Sequence, residues 1–189
     1  MFNGNIVVIG VSTGGPITLK TLFSSLPRLE AAVIVVLHIQ PGMDERVALS
    51  LAKVSVMPVN LAKDGEYLRT GHVYLAPGGC HLALEGNRRI MLVSGPRVNY
   101  VQPSADVTMK SLQRSRSNVF VGIVLTGMGN DGAEGIRHIK SIGGITIAQD
   151  RETSSVYGMP RSAIATGAVD YVLPDVKMGK LIERLVNGE

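Results

Sequence analysis

The sequence predicts an α/β protein: a three-layer α/β/α sandwich on a mainly parallel, doubly wound sheet, with a small antiparallel hairpin excursion. Continuous runs of β-branched and other apolar residues, typical of strands buried on both faces, alternate with segments of helical hydrophobic spacing. Such alternation places helices on both faces of a parallel sheet. Hydrophobic residues make up 45% of the 189 residues, enough to bury the core of one domain.

The start of the chain predicts the order β-α-β-α. Residues 7–9 form a buried strand, and the helix over residues 16–26 ends at Pro27. A second apolar run predicts a strand over residues 32–37. Residues 43–54 place their apolar side chains on one face of a helix.

Residues 61–93 have a different pattern, because glycine-containing turns interrupt short apolar stretches there. The interruptions fall at Asp64-Gly65, Gly78-Gly79 and Gly86-Asn87. These are turn and hairpin signals. We therefore expect the antiparallel excursion in this segment.

The strand and helix alternation then resumes. Ser104 is a suitable N-cap for a helix that carries Asp106 in its first turn. The remaining predicted elements are a strand over 118–125, a helix over 131–142, a strand over 144–150, a helix over 159–167, a strand over 169–173 and a helix over 176–186.

Composition argues against several classes of protein. The net charge of +4 is mild, aromatic residues make up only 4% and tryptophan is absent, so a nucleic-acid-binding surface is not predicted. The single cysteine excludes an intrachain disulfide. We see no apolar run long enough to cross a membrane, no signal peptide and no metal-ligand spacing. These features predict a cytoplasmic protein with no membrane insertion, no metal and no cofactor.

Three reactive side chains follow predicted parallel strands. Ser12 follows the first strand, His38 the second and Asp131 the third long one. Because the carboxyl ends of parallel strands share one edge of the sheet, these residues should converge as nucleophile, base and orienting acid. Asp150 and Asp170 also lie near strand ends and are reserve candidates for the acid.

The serine lies in a G-x-S-x-G pattern between a strand and a helix. A tight glycine turn exposes the Ser12 hydroxyl, and the amide of Thr13 can donate to a developing oxyanion. The alternatives are an N-cap role for Ser12, a core or loop position for His38, and a turn or helix-capping role for Asp131. All three alternatives together require a coincidence, because the three residues fall on one predicted edge.

Nucleotide binding is the rival function for a glycine-rich loop after the first strand. The loop reads G-x-S-x-G-G rather than G-x-G-x-x-G, and His38 follows the second strand where a ribose-binding acid is expected. A Gly-Lys-Ser/Thr ending of the loop is absent, which excludes a P-loop. The residues therefore favour a hydrolase.

Other candidate side chains have simpler interpretations. Cys80 and His81 are neighbours on a predicted strand and point to opposite faces, so they make a poor catalytic pair. We interpret Cys80 as structural. We interpret His72 as a turn residue and His138 as a helix-surface residue.

Seven motifs, in order and over nearly the whole chain, resemble those of the chemotaxis receptor methylesterases, also called protein-glutamate methylesterases. The motifs are IGVSTGGP, LHIQPGM, VYLAPGGCHL, PSADV, VLTGMGNDGAEGI, IAQD and YGMPRSAI. The resemblance implies the α/β/α fold and roles for Ser12 as nucleophile, His38 as general base and Asp131 as orienting acid. It also implies an oxyanion hole formed by the backbone amides of Thr13 and Met128.

The resemblance further implies hydrolysis of γ-glutamyl methyl esters on the cytoplasmic helices of chemotaxis receptors, often with deamidation of receptor glutamines. No cofactor is implied. Arg97 and Arg161 are candidate contacts for an acidic receptor surface. Family members usually carry a phosphorylated receiver domain, whereas residues 1–189 read as the methylesterase catalytic domain alone. A non-catalytic receptor-binding module remains the alternative function.

Overall fold

The computed structural model describes residue 2 and residues 4–188. The strands are β1 (Ile6–Val11), β2 (Ala32–Leu37), β3 (Val59–Leu61), β4 (His72–Leu75), β5 (His81–Glu85), β6 (Arg89–Val93), β7 (Phe120–Val124), β8 (Ile145–Gln149) and β9 (Tyr171–Leu173). The helices are α1 (Gly15–Ser25), α2 (Asp44–Ala52), α3 (Ala105–Lys110), α4 (Ala133–Ser141), α5 (Gly158–Ala165) and α6 (Asp175–Asn187).

Seven of these strands form one parallel sheet in the order β3-β4-β2-β1-β7-β8-β9. β1 lies between β2 and β7, and all six of its residues are buried. The register pairs Val11 with Leu37 and Gly10 with Val124, so the carboxyl ends of these three strands lie side by side. This edge is where a parallel sheet binds its ligands.

Two apolar cores cover the two faces of the sheet. Residues of α1, α2 and α6, such as Phe23, Leu51 and Ile182, form one core with the sheet. Residues of α3, α4 and α5, such as Met109 and Ile136, form the other, together with the β5-β6 hairpin. The predicted three-layer α/β/α sandwich is therefore confirmed.

The antiparallel excursion is smaller than the sequence analysis predicted. Among the described strands, only β5 and β6 pair antiparallel, extended by one isolated antiparallel bridge between Tyr67 and Arg89, and their connection has positive φ values at Gly86 and Asn87. β4 instead joins the main sheet, parallel to β2 and β3, because residues Val73 to Leu75 are buried on both faces. His72 is accordingly the first residue of β4 rather than the turn residue we predicted.

Two further predictions need correction in detail. The helix predicted to start at Asp131 starts at Ala133, because Gly132 is its N-cap with φ of 93°. His138 is only half-exposed, and its Nε2 lies 2.7 Å from the carbonyl oxygen of Leu112. Ser104 is the N-cap of α3, as predicted, and accepts a hydrogen bond from the amide of Val107.

Among residues 2 and 4–188, every helix is too short or too polar to cross a bilayer.

Candidate active site

Ser12 is the first residue beyond β1. Its amide donates to the carbonyl oxygen of Thr126 at 2.9 Å, which continues the β1-β7 pairing past the end of both strands. The N-cap of α1 is Gly14, with φ of 82° and no side-chain capping bond. Ser12 is therefore not the helix cap, and the N-cap alternative is wrong.

His38 occupies the equivalent position beyond β2. Its amide donates to the carbonyl oxygen of Val11 at 3.0 Å, so the backbones of Ser12 and His38 lie on adjacent strands. The His38 side chain is 9% exposed, and its Nε2 lies 2.7 Å from Oδ2 of Asp131. A carboxylate can only accept, so Nε2 carries the proton. Nδ1 is buried and has no hydrogen-bond partner among the described residues, which leaves its lone pair available as a base.

Asp131 is buried to 2% exposure and lies in the loop between β7 and α4. Its Oδ1 accepts from the hydroxyl of Ser104 at 2.6 Å, and its Oδ2 accepts from the amide of Ala105 at 2.6 Å. Asp131 was considered as a possible cap of α4, and this alternative is wrong. The carboxylate instead satisfies amide groups at the start of α3, which fixes the acceptor for His38.

The structure brings Asp131 and His38 into direct contact and places Ser12 on the strand adjacent to His38. Within residues 2 and 4–188, the hydroxyl of Ser12 makes no hydrogen bond to the imidazole. Catalytic hydrogen bonds are often long in unliganded proteins and tighten around the substrate. The structure therefore places an imidazole oriented by Asp131 on the strand adjacent to Ser12.

Hydrogen bonding determines the charge state of Asp131. Burial raises the pKa of this carboxyl, but hydrogen bonds from His38, Ser104 and Asn99 outweigh burial and hold the pKa below its ordinary value of 3.8. Asp131 is thus ionised at neutral pH and can stabilise an imidazolium. Burial and the nearby charge of Asp131 both raise the pKa of Asp106.

Asn99 is a site residue that the sequence analysis missed. Its Nδ2 donates to Oδ1 of Asp131 at 3.0 Å and to Oδ2 of Asp106 at 2.7 Å. It lies in a two-residue turn, with φ of 52° at Asn99 and 65° at Tyr100, closed by paired hydrogen bonds between Val98 and Val101. The available signal was the pair Asn99-Tyr100 between two valines, because asparagine tolerates the left-handed region.

The backbone amides of Thr13 and Met128 were predicted to bind an oxyanion. Among the described residues neither N–H has a hydrogen-bond acceptor. The carbonyl oxygen of Thr13 accepts from the Thr126 hydroxyl at 2.9 Å, and a Cβ atom on Gly127 would lie 2.7 Å from Cβ of Ser12. The two free amides therefore flank the serine on loops that are in contact.

The reserve acids are not part of this site. Asp150 accepts from the amide and hydroxyl of Thr153. Asp170 precedes β9 and binds Lys140 and Thr146, so it lies at the amino edge of the sheet, away from the site. Neither carboxylate contacts His38.

Cys80 and His81 have structural surroundings. Burial raises the pKa of the Cys80 thiol, and Sγ lies 3.8 Å from the carbonyl oxygen of Pro77. His81 is buried, with Nε2 3.0 Å from the carbonyl oxygen of Pro96. Within the described part of the chain, no cluster of three His, Cys, Asp or Glu side chains could hold a metal ion.

The two predicted arginine contacts lie on opposite sides of Ser12. Arg97 lines a cleft of about 290 Å³ together with His38, Gly79 and Gln102. Arg161 lines a separate pocket of about 400 Å³ beyond β8. The structure does not bring the two arginines together, because the strand order places β1 and β7 between them.

Comparison with known proteins identifies a family. The CheB methylesterase family model matches residues 7–182. The protein-glutamate methylesterase/protein-glutamine glutaminase of Thermotoga maritima is 41% identical over 186 residues, which cover 96% of this chain and 54% of that protein. The protein of the same name from Symbiobacterium thermophilum is 42% identical, with coverage of 96% and 50%. The chain thus spans about half the length of these curated relatives.

A solved structure shows the same fold over nearly the whole chain. The crystal structure of the Thermotoga maritima CheB methylesterase catalytic domain superposes with a TM-score of 0.91 and 39% sequence identity. The match covers 97% of this chain and 99% of that one. On the family model, the relatives and the shared fold, the chain belongs to the CheB methylesterase family.

Proposed function

We propose that this protein is a serine hydrolase that demethylates γ-glutamyl methyl esters on methyl-accepting chemotaxis receptors and also deamidates receptor glutamines. The observation that carries the proposal is the pairing of His38 with Asp131, which leaves the buried Nδ1 of His38 free at the strand end adjacent to Ser12. The relatives are named for both activities, protein-glutamate methylesterase and protein-glutamine glutaminase.

The first half of the reaction forms an acyl-enzyme. Oγ of Ser12 attacks the side-chain carbonyl carbon of the glutamyl ester, and its proton passes to Nδ1 of His38. The ionised Asp131 stabilises the resulting imidazolium through Nε2. The tetrahedral intermediate then expels the methoxy group, which takes the proton from His38 and leaves as methanol.

The second half repeats these roles with water. His38 removes a proton from water as its oxygen attacks the acyl carbon, and Ser12 leaves with the proton returned by His38. The products are a glutamate side chain and the free enzyme. With a glutamine substrate the same steps release ammonia in place of methanol.

The free amides of Thr13 and Met128 supply the electrostatic part of catalysis. Each is an N–H group without an acceptor among the described residues, beside Ser12. We assign them to the carbonyl oxygen as it gains negative charge. A single such donor is worth on the order of 10²–10³ in rate.

The partners and location of the protein are part of the proposal. We assign residues 1–189 to the catalytic unit and the cytoplasm as its location, where the receptor helices that carry the esters lie. Arg97 and Arg161 contribute positive charge at the two sides of the site for an acidic receptor surface. A receiver domain is the expected regulatory partner of the family.

Methanol release from methylated receptor tests the function directly. We expect Ser12→Ala to lower the rate by at least about 10³-fold while the melting temperature stays unchanged, because the partly exposed turn accepts a smaller side chain. Ser24→Ala, on the exposed side of α1, is the matched serine control. A Ser12→Ala variant with most of its turnover would disprove the nucleophile assignment.

Fluorophosphonate labelling separates this proposal from its alternatives. We expect covalent labelling of the wild type and none of Ser12→Ala. A receptor-binding module without turnover would bind methylated receptor but remain unlabelled. A nucleotide-binding domain would show a nucleotide-dependent rise in melting temperature, which we do not expect.

A further inference from the structure

A second pocket lies next to the proposed nucleophile. The loop between β8 and α5, together with the first turn of α5, forms a pocket of about 400 Å³ lined by Arg151, Ser154, Ser155, Tyr157, Gly158 and Arg161. We refer to it as the arginine pocket. No acidic side chain lines it.

The arginine pocket shares its wall with the active site. A Cβ atom on Gly14, two residues beyond Ser12, would lie 2.6 Å from the side chain of Ser155. A Cβ atom on Gly158 would lie 2.9 Å from the carbonyl oxygen of Gly127 and 3.1 Å from the amide of Gly129. The pocket therefore abuts both loops that carry the free amides of the site.

Two positive charges in this pocket have no neutralising partner. Among residues 2 and 4–188, neither Arg151 nor Arg161 forms an ion pair. The guanidinium of Arg151 lies 5.8 Å from the centre of the Tyr157 ring, a cation–π contact that restrains its position. The hydroxyl of Ser154 donates to the carbonyl oxygen of Asp150, whereas the hydroxyl of Ser155 adds a donor to the pocket, which is therefore suited to a planar anion such as a carboxylate.

We propose that the arginine pocket binds the carboxylate of an acidic side chain that neighbours the reacting glutamyl group on the receptor; this inference rests on the proposed function. The reacting ester or amide is uncharged, so it cannot itself use this charge. A neighbouring aspartate or glutamate can, and the pocket thereby selects which sites on a receptor are hydrolysed.

The sheet geometry gives the distance between Ser12 and the site that binds this carboxylate. Ser12 follows β1 and the pocket follows β8, with β7 between them. Adjacent strands lie about 4.8 Å apart, so the separation is about 10 Å. On a helical substrate this corresponds to about two turns. His38 lies on the other side of Ser12. The acidic residue is therefore bound only when it lies on the side of the scissile group that faces β8.

Paired peptides test this inference. Each peptide carries one γ-methyl glutamyl ester in a helical sequence, with glutamate or glutamine one or two turns to either side. We expect the wild type to prefer a glutamate on one side by about fivefold in kcat/KM, since exposed ion pairs contribute modestly. In the double variant Arg151→Gln/Arg161→Gln the preference falls below about twofold.

The matched control is Arg114→Gln/Arg116→Gln, which removes the same net charge from exposed positions elsewhere. It retains the preference if the pocket, rather than overall charge, recognises the carboxylate. The preference is taken as the ratio of kcat/KM for the glutamate and glutamine peptides within each variant, so that a general change in activity cancels. Loss of the preference in the control, or its survival in Arg151→Gln/Arg161→Gln, overturns the inference.

Binding measurements keep this inference distinct from the hydrolase proposal. Dissociation constants of the same peptides for Ser12→Ala report the charge preference without turnover. We expect the glutamate peptide to bind about fivefold more tightly than the glutamine peptide, and to lose this advantage when both pocket arginines are replaced. Equal affinities for the glutamate and glutamine peptides would overturn the proposed role of the arginine pocket. If the wild type shows no turnover but the binding preference persists, only the hydrolase proposal is overturned.

Discussion

Asp106 and Asp131 are buried carboxylates that share one hydrogen-bond donor, the side-chain amide of Asn99, at 2.7 and 3.0 Å. Like charges at close range disfavour joint ionisation, and burial together with the charge of Asp131 raises the pKa of Asp106. Asn99 offsets part of this repulsion. The hydrogen bond that His38 donates to Asp131 is therefore supported by a residue that does not contact His38.

Replacement of Asn99 tests this support. We expect Asn99→Gly to lower kcat by roughly 10-fold and the free energy of unfolding by about 1.5–3 kcal/mol, because a donor to a charged group is lost. KM for a small ester should change little, since Asn99 positions Asp131 rather than substrate. Urea unfolding and steady-state kinetics measure both effects.

Tyr100→Gly is the matched control for that variant. Tyr100 has the same left-handed backbone, with φ of 65°, but its side chain is 93% exposed and bonds neither carboxylate. Glycine relieves the backbone strain there, so we expect unchanged or slightly increased stability. Equal losses in Asn99→Gly and Tyr100→Gly would show that the turn, rather than the amide, matters.

Asp131→Asn should retain the fold and lose most of the activity. The asparagine amide cannot stabilise the imidazolium of His38, and a loss of about 10⁴ in kcat is expected for this change in a serine triad. Receptor demethylation measures it. Activity within about 10-fold of wild type would contradict the assigned role of Asp131.

The pKa shift of Asp131 predicts acid sensitivity. Its pKa in the folded protein lies below the ordinary value of 3.8, so its stabilising effect is fully present above pH 3.8 and is lost as pH falls through the folded value. Asp106, whose pKa is raised, has the opposite effect on stability. Its ionised form destabilises the fold, and this destabilisation is relieved as pH falls through the raised pKa. We expect the free energy of unfolding to drop more steeply below pH 4 in wild type than in Asp131→Asn, measured in urea at pH 6, 4 and 3.

Gly127→Ala probes the contact between the two loops beside the nucleophile. The new Cβ would lie 2.2 Å from Sδ of Met159 and 2.7 Å from Cβ of Ser12. The methionine side chain can shift, but Ser12 or the Gly127 loop must move, and small displacements cost on the order of 10² in rate. Gly95→Ala, with nothing within 4 Å, should keep full activity in the same assay.

The main sheet and the positions of Ser12, His38 and Asp131 after its strands could be predicted from the sequence, because both depend on local signals. Continuous apolar runs mark strands buried on two faces, and Ser12, His38 and Asp131 each follow such a run closely. The placement of β4 was missed, because the glycine turns around this short strand resemble those of a hairpin and do not reveal its partner.

Interactions between distant segments could not be predicted from the sequence. Asn99 contacts Asp131 across 32 residues, and no spacing rule links them. The pairing of Arg151 with Tyr157 inside a pocket likewise depends on how the loop after β8 folds over α5. Patterns with a period of two or 3.6 residues cannot encode such contacts.

The amides that begin α3 are held by the same carboxylate that orients His38. Fraying of this six-residue helix would thus release the imidazole while the seven-stranded sheet remained intact. Substitutions that weaken the packing of α3 are therefore expected to lower the rate of hydrolysis before they unfold the sheet.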